Sequence, residues 1–385
     1  QLVQGMTMKS RISMARNLGF SLIELMIALT IGLILLTVLS LILVNSYESN
    51  RELQKTSQRI ENGRFAIDVL SQNIRHAGFY GHLFALPAAP GSLPDPCELS
   101  SLTALRDALA LPVQGYRAAD LTTRADVSST TCISKGLLTN ANLKPGSDVV
   151  VVRRASTQSV TVGAVPNLND VYIIATGLGL GVQAGTTSAI TSTSQVDGTT
   201  ACTATSTSAP LGLCRQNGTA APIRKYVVQI YFVAPCSSGS GTNGVCTTGD
   251  DTIPTLKRLD LTAVGGTRKF EIVPLVEGIE YLKAEFGLDT VPSTASVTGL
   301  IGDGIVDTYS AAPATVADWT NVIAAKVFVL ARNTDPTTGY ADIKTYALGS
   351  ISPVLMTTAT NDTYKRHAYS TTIRLVNPAG RREIP

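Results

Sequence analysis

Cysteines, histidines and a few clustered acids are the residues of this sequence best equipped for chemistry. The six cysteines stand at 97, 132, 202, 214, 236 and 246. None forms a C-x-x-C pair, and His76, His82 and His367 lie far from most of them, so a zinc site is not the favoured reading. Disulfides made in an oxidising compartment are. Nearness in sequence favours Cys202–Cys214 and Cys236–Cys246, which leaves Cys97–Cys132; the other connectivities stay open. Each unstrained closure would contribute about 3 kcal/mol. The stretch VYIIATGLGLGVQA holds a G-x-G-x-x-A at Gly179, Gly181 and Ala184. A dinucleotide site needs a helix next, to present its N-terminus to pyrophosphate. Ser/Thr-rich sequence follows instead, so the glycines read as a flexible turn and no cofactor is expected. GDGIVD sets Asp303 near Asp307, with Asp289 upstream. These are the calcium candidates, but a hard cation wants roughly six or more oxygens, and an ordinary turn is the preferred reading. No H-E-x-x-H, G-x-S-x-G or Walker A motif occurs. No catalytic residue is assigned, and the chain is not expected to be an enzyme.

A different chemistry is posed by NLGFSLIELMIALTIGLILLTVLSLILV, Asn17 to Val44. From Phe20 to Val44 the run carries one charge, Glu24, and a helix needs about 20 apolar residues to cross the hydrocarbon. Lys9, Arg11 and Arg16 precede it, and the next charges are Glu48 and Arg51. Positive residues before the span place the N-terminus in the cytoplasm and the bulk outside it. A secretory signal has a shorter apolar region and a small-residue cleavage site; NSYESNRELQK offers none. A plain signal anchor leaves Glu24 and the Gly19–Phe20 junction without a reason. GFSLIELMIALTIG resembles the N-terminus of type IV pilins and type II secretion pseudopilins. The resemblance implies a basic leader (residues 1–19) cut after Gly19, N-methylation of the new terminus at Phe20, and a glutamate at the fifth mature position, Glu24. Met6, Met8 and Met14 are candidate starts, and Met14 would leave the leader MARNLG.

That resemblance gives the lone carboxylate a physical role. Cleavage creates an ammonium at Phe20, one helical turn from Glu24. Glu24 can face that amine in its own chain or in a neighbour of a filament. An ionised group at the bilayer centre costs about 2.5–3.5 kcal/mol, less near the interface. Pairing across subunits would offset the cost and select the assembly register.

These residues need elements to position them. Residues 20–44 read as a transmembrane and assembly helix, and 45–80 as its amphipathic continuation. Leu53, Ile60, Ile67 and Ile74 recur every seven residues, with Thr56, Gly63, Leu70 and Ala77 three further on. The small residues in the second set favour packing against a sheet over a coiled coil. Gly78 is a plausible helix cap. Residues 81–385 read as a periplasmic β-rich head. A short helix is expected over 101–111, and strands over 147–154, 170–176, 224–234, 257–262, 269–276, 279–288, 321–333 and 367–377. Between 183 and 209 about half the residues are Ser or Thr, which reads as an exposed loop. The fold class is α+β: a long N-terminal helix packed on a mostly antiparallel sheet.

Composition agrees with that class. Charged residues are 15% and apolar ones 44%, a profile of a β-rich extracytoplasmic protein. The net charge of +3 equals the three leader bases. Global charge therefore gives no support for a nucleic-acid-binding domain, and Arg153–Arg154 and Arg381–Arg382–Glu383 read as solvated or paired clusters.

NGRFAIDVLSQNIRHAGFYGH (62–82), PLVEGIEYLKAEFGLDT, GDGIVDTYS, DWTNVIAAKVFVLARN and RHAYSTTIRLVNPAGRRE resemble PilW-type minor pilins; residues 90–220 carry no resemblance. The family implies a low-copy component at or near the pilus tip that primes type IV pilus assembly. Implied partners are other minor pilins, the major pilin, the prepilin peptidase and methylase, and the inner-membrane assembly platform. A type II secretion minor pseudopilin is one alternative. A tip adhesin or DNA-binding pilus component is another.

Overall fold

The computed structural model describes residues 19, 21–83, 86–160, 167–176, 179–185, 221–290, 302–349, 355–357 and 362–383. They fall into two compact units, 1–54 and 55–385. In chain order the elements are α1 (Leu22–Arg75), α2 (Leu102–Asp107), β1 (Val113–Tyr116), α3 (Thr131–Ser134), β2 (Val149–Val160), β3 (Val171–Ala175), β4 (Leu180–Ala184), β5 (Ile223–Ala234), β6 (Thr255–Val264), β7 (Thr267–Glu277), β8 (Ile279–Leu288), β9 (Thr308–Ser310), α4 (Val316–Thr320), β10 (Val322–Arg332), β11 (Thr345–Ala347), β12 (Leu355–Thr357), β13 (Arg366–Arg374) and α5 (Val376–Arg382). The class is α+β.

All strand pairs are antiparallel. The larger sheet runs β1-β2-β5-β3-β4, with β6 on β5 and β7 on β6; the second runs β13-β10-β8-β9. The unbroken apolar run DVVVV becomes β2 because both its faces are covered. Val149 and Val151 join one core with Val228, Ile230 and Phe232. Val150 and Val152 turn to the other, with Tyr231, Leu282, Phe286 and Val327. Pro274 sits in β7 at a register shift opposite β6. A proline fits there because β7 is an edge strand and needs no second ladder.

The second core is where α1 docks. Gly63, Ala66, Leu70 and Ile74 are the buried residues of α1, so the docking stripe begins at Gly63. Leu53, which the sevenfold spacing put on that stripe, is exposed, and Ala66 takes a place the spacing did not give it. Gly63 is a close approach: a Cβ there would fall inside the Tyr369 ring. The helix ends at Arg75, a few residues short of the expected 80. Gly78, at φ +72°, turns the chain away, and its N–H bonds the Arg153 carbonyl at 2.9 Å.

The expected strands are present within a few residues. The strands β1, β4, β9, β11 and β12 are additional. The glycine-rich stretch is not simply a flexible turn: Gly181 and Ala184 lie in β4, paired to β3. The Ser/Thr-rich reading also began too early, since Gln183 and Ala184 belong to β4; residues 186–209 of it lie outside the described residues.

Candidate assembly segment

Glu24 stands in the first turn of α1 and bonds Ser21. The Ser21 N–H reaches Glu24 Oε2 at 3.4 Å, and the Glu24 N–H reaches Ser21 Oγ at 3.4 Å. This reciprocal pair has the form of a capping box, S-x-x-E, with long bonds. The carboxylate also lies at the positive end of the helix dipole. Ser21 was missed from the sequence although the three-residue spacing before an apolar run is its signature. Gly19 is exposed; Phe20, the other half of the junction, lies outside the described residues.

Beyond Glu24 the helix has the length and composition to cross a membrane, and none of the residues of its apolar window is buried in the protein. Its two threonine hydroxyls are satisfied within the helix: Thr30 Oγ1 donates to the Ile27 carbonyl at 2.9 Å, and Thr37 Oγ1 to Leu33 at 2.8 Å. That is what lipid demands, since hydrocarbon offers no partner. In the second unit the rest of α1 is tied to the head by polar contacts as well as by its buried stripe. Lys55 Nζ donates to the Pro336 carbonyl at 2.9 Å, Arg59 Nη1 to Asn333 Oδ1 at 3.3 Å, and Asn62 Nδ2 to the Glu277 carbonyl at 2.9 Å.

Two disulfides hold the head, Cys97–Cys132 and Cys236–Cys246, as sequence proximity proposed. Cys202 and Cys214 lie outside the described residues. The loop closed by the second pair is organised by two adjacent acids. Asp250 accepts from the Ser240 and Thr247 N–H groups, and Asp251 from Ser237 and Ser238. The Ser240 hydroxyl, followed by the Thr247 and Ser240 N–H groups, holds the Asp250 carboxyl at about 2, below the usual carboxylate range.

The other candidates resolve into packing. Asp289 is buried and accepts the Asp303 and Gly304 N–H groups at 3.2 and 2.8 Å, with Arg382 Nη1 3.4 Å away. Asp307 accepts the Thr290 N–H at 2.7 Å. Asp303 Oδ1 accepts the Ile305 N–H at 2.9 Å. Each bond organises the turn itself. Arg153 is buried on the Leu111 carbonyl and Gln114, Arg381 bonds the Gly78 carbonyl at 2.5 Å, and Glu383 pairs with Arg374. These arginines are spent on the fold. His76 Nδ1 is 2.7 Å from the Gln72 carbonyl, and His367 stacks edge-on against Tyr369. His82 is exposed.

Residues 14–40 match the model of the prokaryotic N-terminal methylation motif, which spans Gly19, Phe20 and Glu24. Residues 230–377 match the model of the type IV pilus-assembly protein W. Over residues 230–377 the chain resembles the PilW family. Its PilW match begins inside β5 and ends just after β13, so it covers β6 to β10 and the strands that close the core over α1. No curated protein matches the chain. Among solved structures, the type IV-like pilin TTHA1219 from Thermus thermophilus is 14% identical, over 54% of this chain and 84% of that chain, at a TM-score of 0.21. That score is too low to carry an argument. A PilW-type minor pilin with an N-methylation motif accounts for both matches and for the apolar helix.

Proposed function

We propose that this chain is a minor pilin that joins a tip complex and primes assembly of a type IV pilus. Its precursor is cut between Gly19 and Phe20 by the prepilin peptidase, and Phe20 is N-methylated. The segment from Phe20 to Val44 holds the chain in the inner membrane, N-terminus in the cytoplasm and head in the periplasm, and then packs among the helices of other minor pilins and the major pilin at the assembly platform. Glu24 selects the register by meeting the Phe20 amine of a neighbour. The chain catalyses nothing itself. The observation that carries this reading is the pairing of a methylation motif containing Glu24 with a PilW region in one chain.

The capping contact refines the register idea. Before assembly Glu24 has a local partner in Ser21, at 3.4 Å. A long bond of this kind is easily exchanged for a stronger charged one. Glu24→Ala therefore leaves insertion intact and lowers recovery of the protein in sheared pili. Normal incorporation of that variant would sink the register role. A strain lacking the gene is expected to lose surface pili while exoprotein secretion continues. Retained pili with failed secretion would instead place the chain in a secretion pseudopilus.

A further inference from the structure

The two described disulfides differ in the charge that stands against their sulfurs. Lys257, on β6 and 1% exposed, places Nζ 3.6 Å from Cys236 Sγ and 3.8 Å from Cys246 Sγ. Both cysteines also line a cleft of about 540 Å³ whose walls carry charges of both signs, Lys144 and Arg332 with Asp250, Asp251 and Glu280; Lys257 is the charge placed against the sulfurs themselves. At Cys97–Cys132 the neighbour is a carboxylate. An Asp95 oxygen lies within 4.8 Å of both sulfurs, and the Cys97 and Thr131 N–H groups fix that side chain at 2.9 and 3.0 Å. Lys135 is close as well, but its Nζ is directed at the Cys97 carbonyl and the Thr131 hydroxyl, at 2.6 and 2.5 Å.

Reduction places negative charge on sulfur. An ammonium beside it favours the thiolate, and a carboxylate opposes it. We propose that Cys236–Cys246 is a thiol-exchange site, opened by a low-molecular-weight thiol that enters the cleft, while Cys97–Cys132 is a permanent staple. The thiolate RS⁻ attacks Cys246 Sγ and forms a mixed disulfide. The S–S bond breaks, and its electron pair leaves on Cys236 Sγ, beside the Lys257 ammonium. A second RS⁻ attacks the sulfur of the bound RS group and releases RSSR and the Cys246 thiolate. Two electrons have passed from two thiols to one disulfide, and solvent supplies the protons the thiolates take up. Opening frees residues 237–245 from their covalent closure.

Loop length predicts the reverse order. The Cys236–Cys246 separation is 10 residues and the Cys97–Cys132 separation is 35. The shorter loop is the easier one to reclose. The order of reduction therefore reports on charge and access, not on connectivity.

The test uses the full chain in detergent micelles, equilibrated with mixtures of reduced and oxidised glutathione. Free thiols are trapped by alkylation, and peptides carrying each cysteine are quantified by mass spectrometry. Cys236–Cys246 is expected to reach half reduction at a ratio of reduced glutathione squared to oxidised glutathione about tenfold lower than Cys97–Cys132 does. Lys257→Met should remove most of that gap, and Asp95→Asn should narrow it from the other side. The wild-type comparison stands even where the buried Lys257 variant fails to fold. Equal or reversed order in the wild type overturns the proposal. So does an unchanged gap in folded Lys257→Met, or opening only by a protein dithiol reductase and not by glutathione.

Discussion

A single carboxylate can be conspicuous or invisible according to its neighbours in the chain. Glu24 is conspicuous because every neighbour for many residues is uncharged, and the motif around it is contiguous. Ser21 was legible too, as the first residue of S-x-x-E. Asp148 was not. It stands just before β2, where it looks like the end of a turn, yet it is a buried charge with several partners. Lys283 Nζ lies 2.7 Å from its Oδ1, the Ala118 N–H donates to the same oxygen at 2.9 Å, and the Ala284 N–H to Oδ2 at 3.0 Å. Burial pushes this carboxyl upward, and Lys283 with the two N–H groups pulls the other way. The pair joins the loop after β1, the start of β2, and β8. Removing one partner strands the other charge in the core. Lys283→Met is therefore expected to destabilise the head by about 3–5 kcal/mol, read from urea unfolding of the purified chain. A cost under about 1 kcal/mol, the range of an exposed pair, would mean that the pair is solvated.

At the scale of elements, periodicity found α1 and most long strands, because the stripe and the alternation are written in adjacent residues. It misjudged where the stripe begins, since that depends on how far the sheets reach along the helix. Gly63 is the point of closest approach. Gly63→Ala should cost about 1–3 kcal/mol through overpacking against Tyr369. The same change in a Tyr369→Ala background should cost less than about 0.5 kcal/mol, so the two substitutions are coupled. Additive costs in the unfolding midpoints would show that the ring is free to move away. Short strands such as β4 and β9 escaped notice because their order comes from partners and not from their own sequence.

The segment 236–251, which includes the Cys236–Cys246 loop, makes a separate prediction. Asp250 has its carboxyl lowered to about 2 by bonds that exist only in the folded loop. A lowered carboxyl lends order that is complete above its unfolded value, near about 4. That order is lost as pH falls through about 2. Protection of the Ser240 and Thr247 amides, with exchange taken relative to an unprotected amide at the same pH, should thus fall between about pH 4 and pH 2. In Asp250→Asn that protection should be low already at neutral pH, and pH-independent protection in the wild type would contradict the assignment.

Taken whole, the molecule keeps its membrane segment and its cores in separate stretches of chain. Of the two large cores, one draws on α1 only from Ala66 onward and the other takes no residue from it. A fragment starting at Tyr47 is expected to be soluble, to keep Cys97–Cys132 and Cys236–Cys246, and to unfold cooperatively. A fragment that aggregates or unfolds without a transition would show that the apolar segment is needed for the fold. The sequence by itself determined the apolar span, the acid at Glu24 and the α+β class, and it favoured, among other connectivities, the two described disulfides that the structure then closed. All of these are local or contiguous features, readable from spacing and hydropathy. Only the tertiary structure decided that Asp289 organises a turn beside Arg382, that Asp148 is paired with Lys283, and that Lys257 stands against one disulfide while Asp95 stands against the other. Those pairings follow from strand register and loop course, which bring together side chains that no local pattern connects.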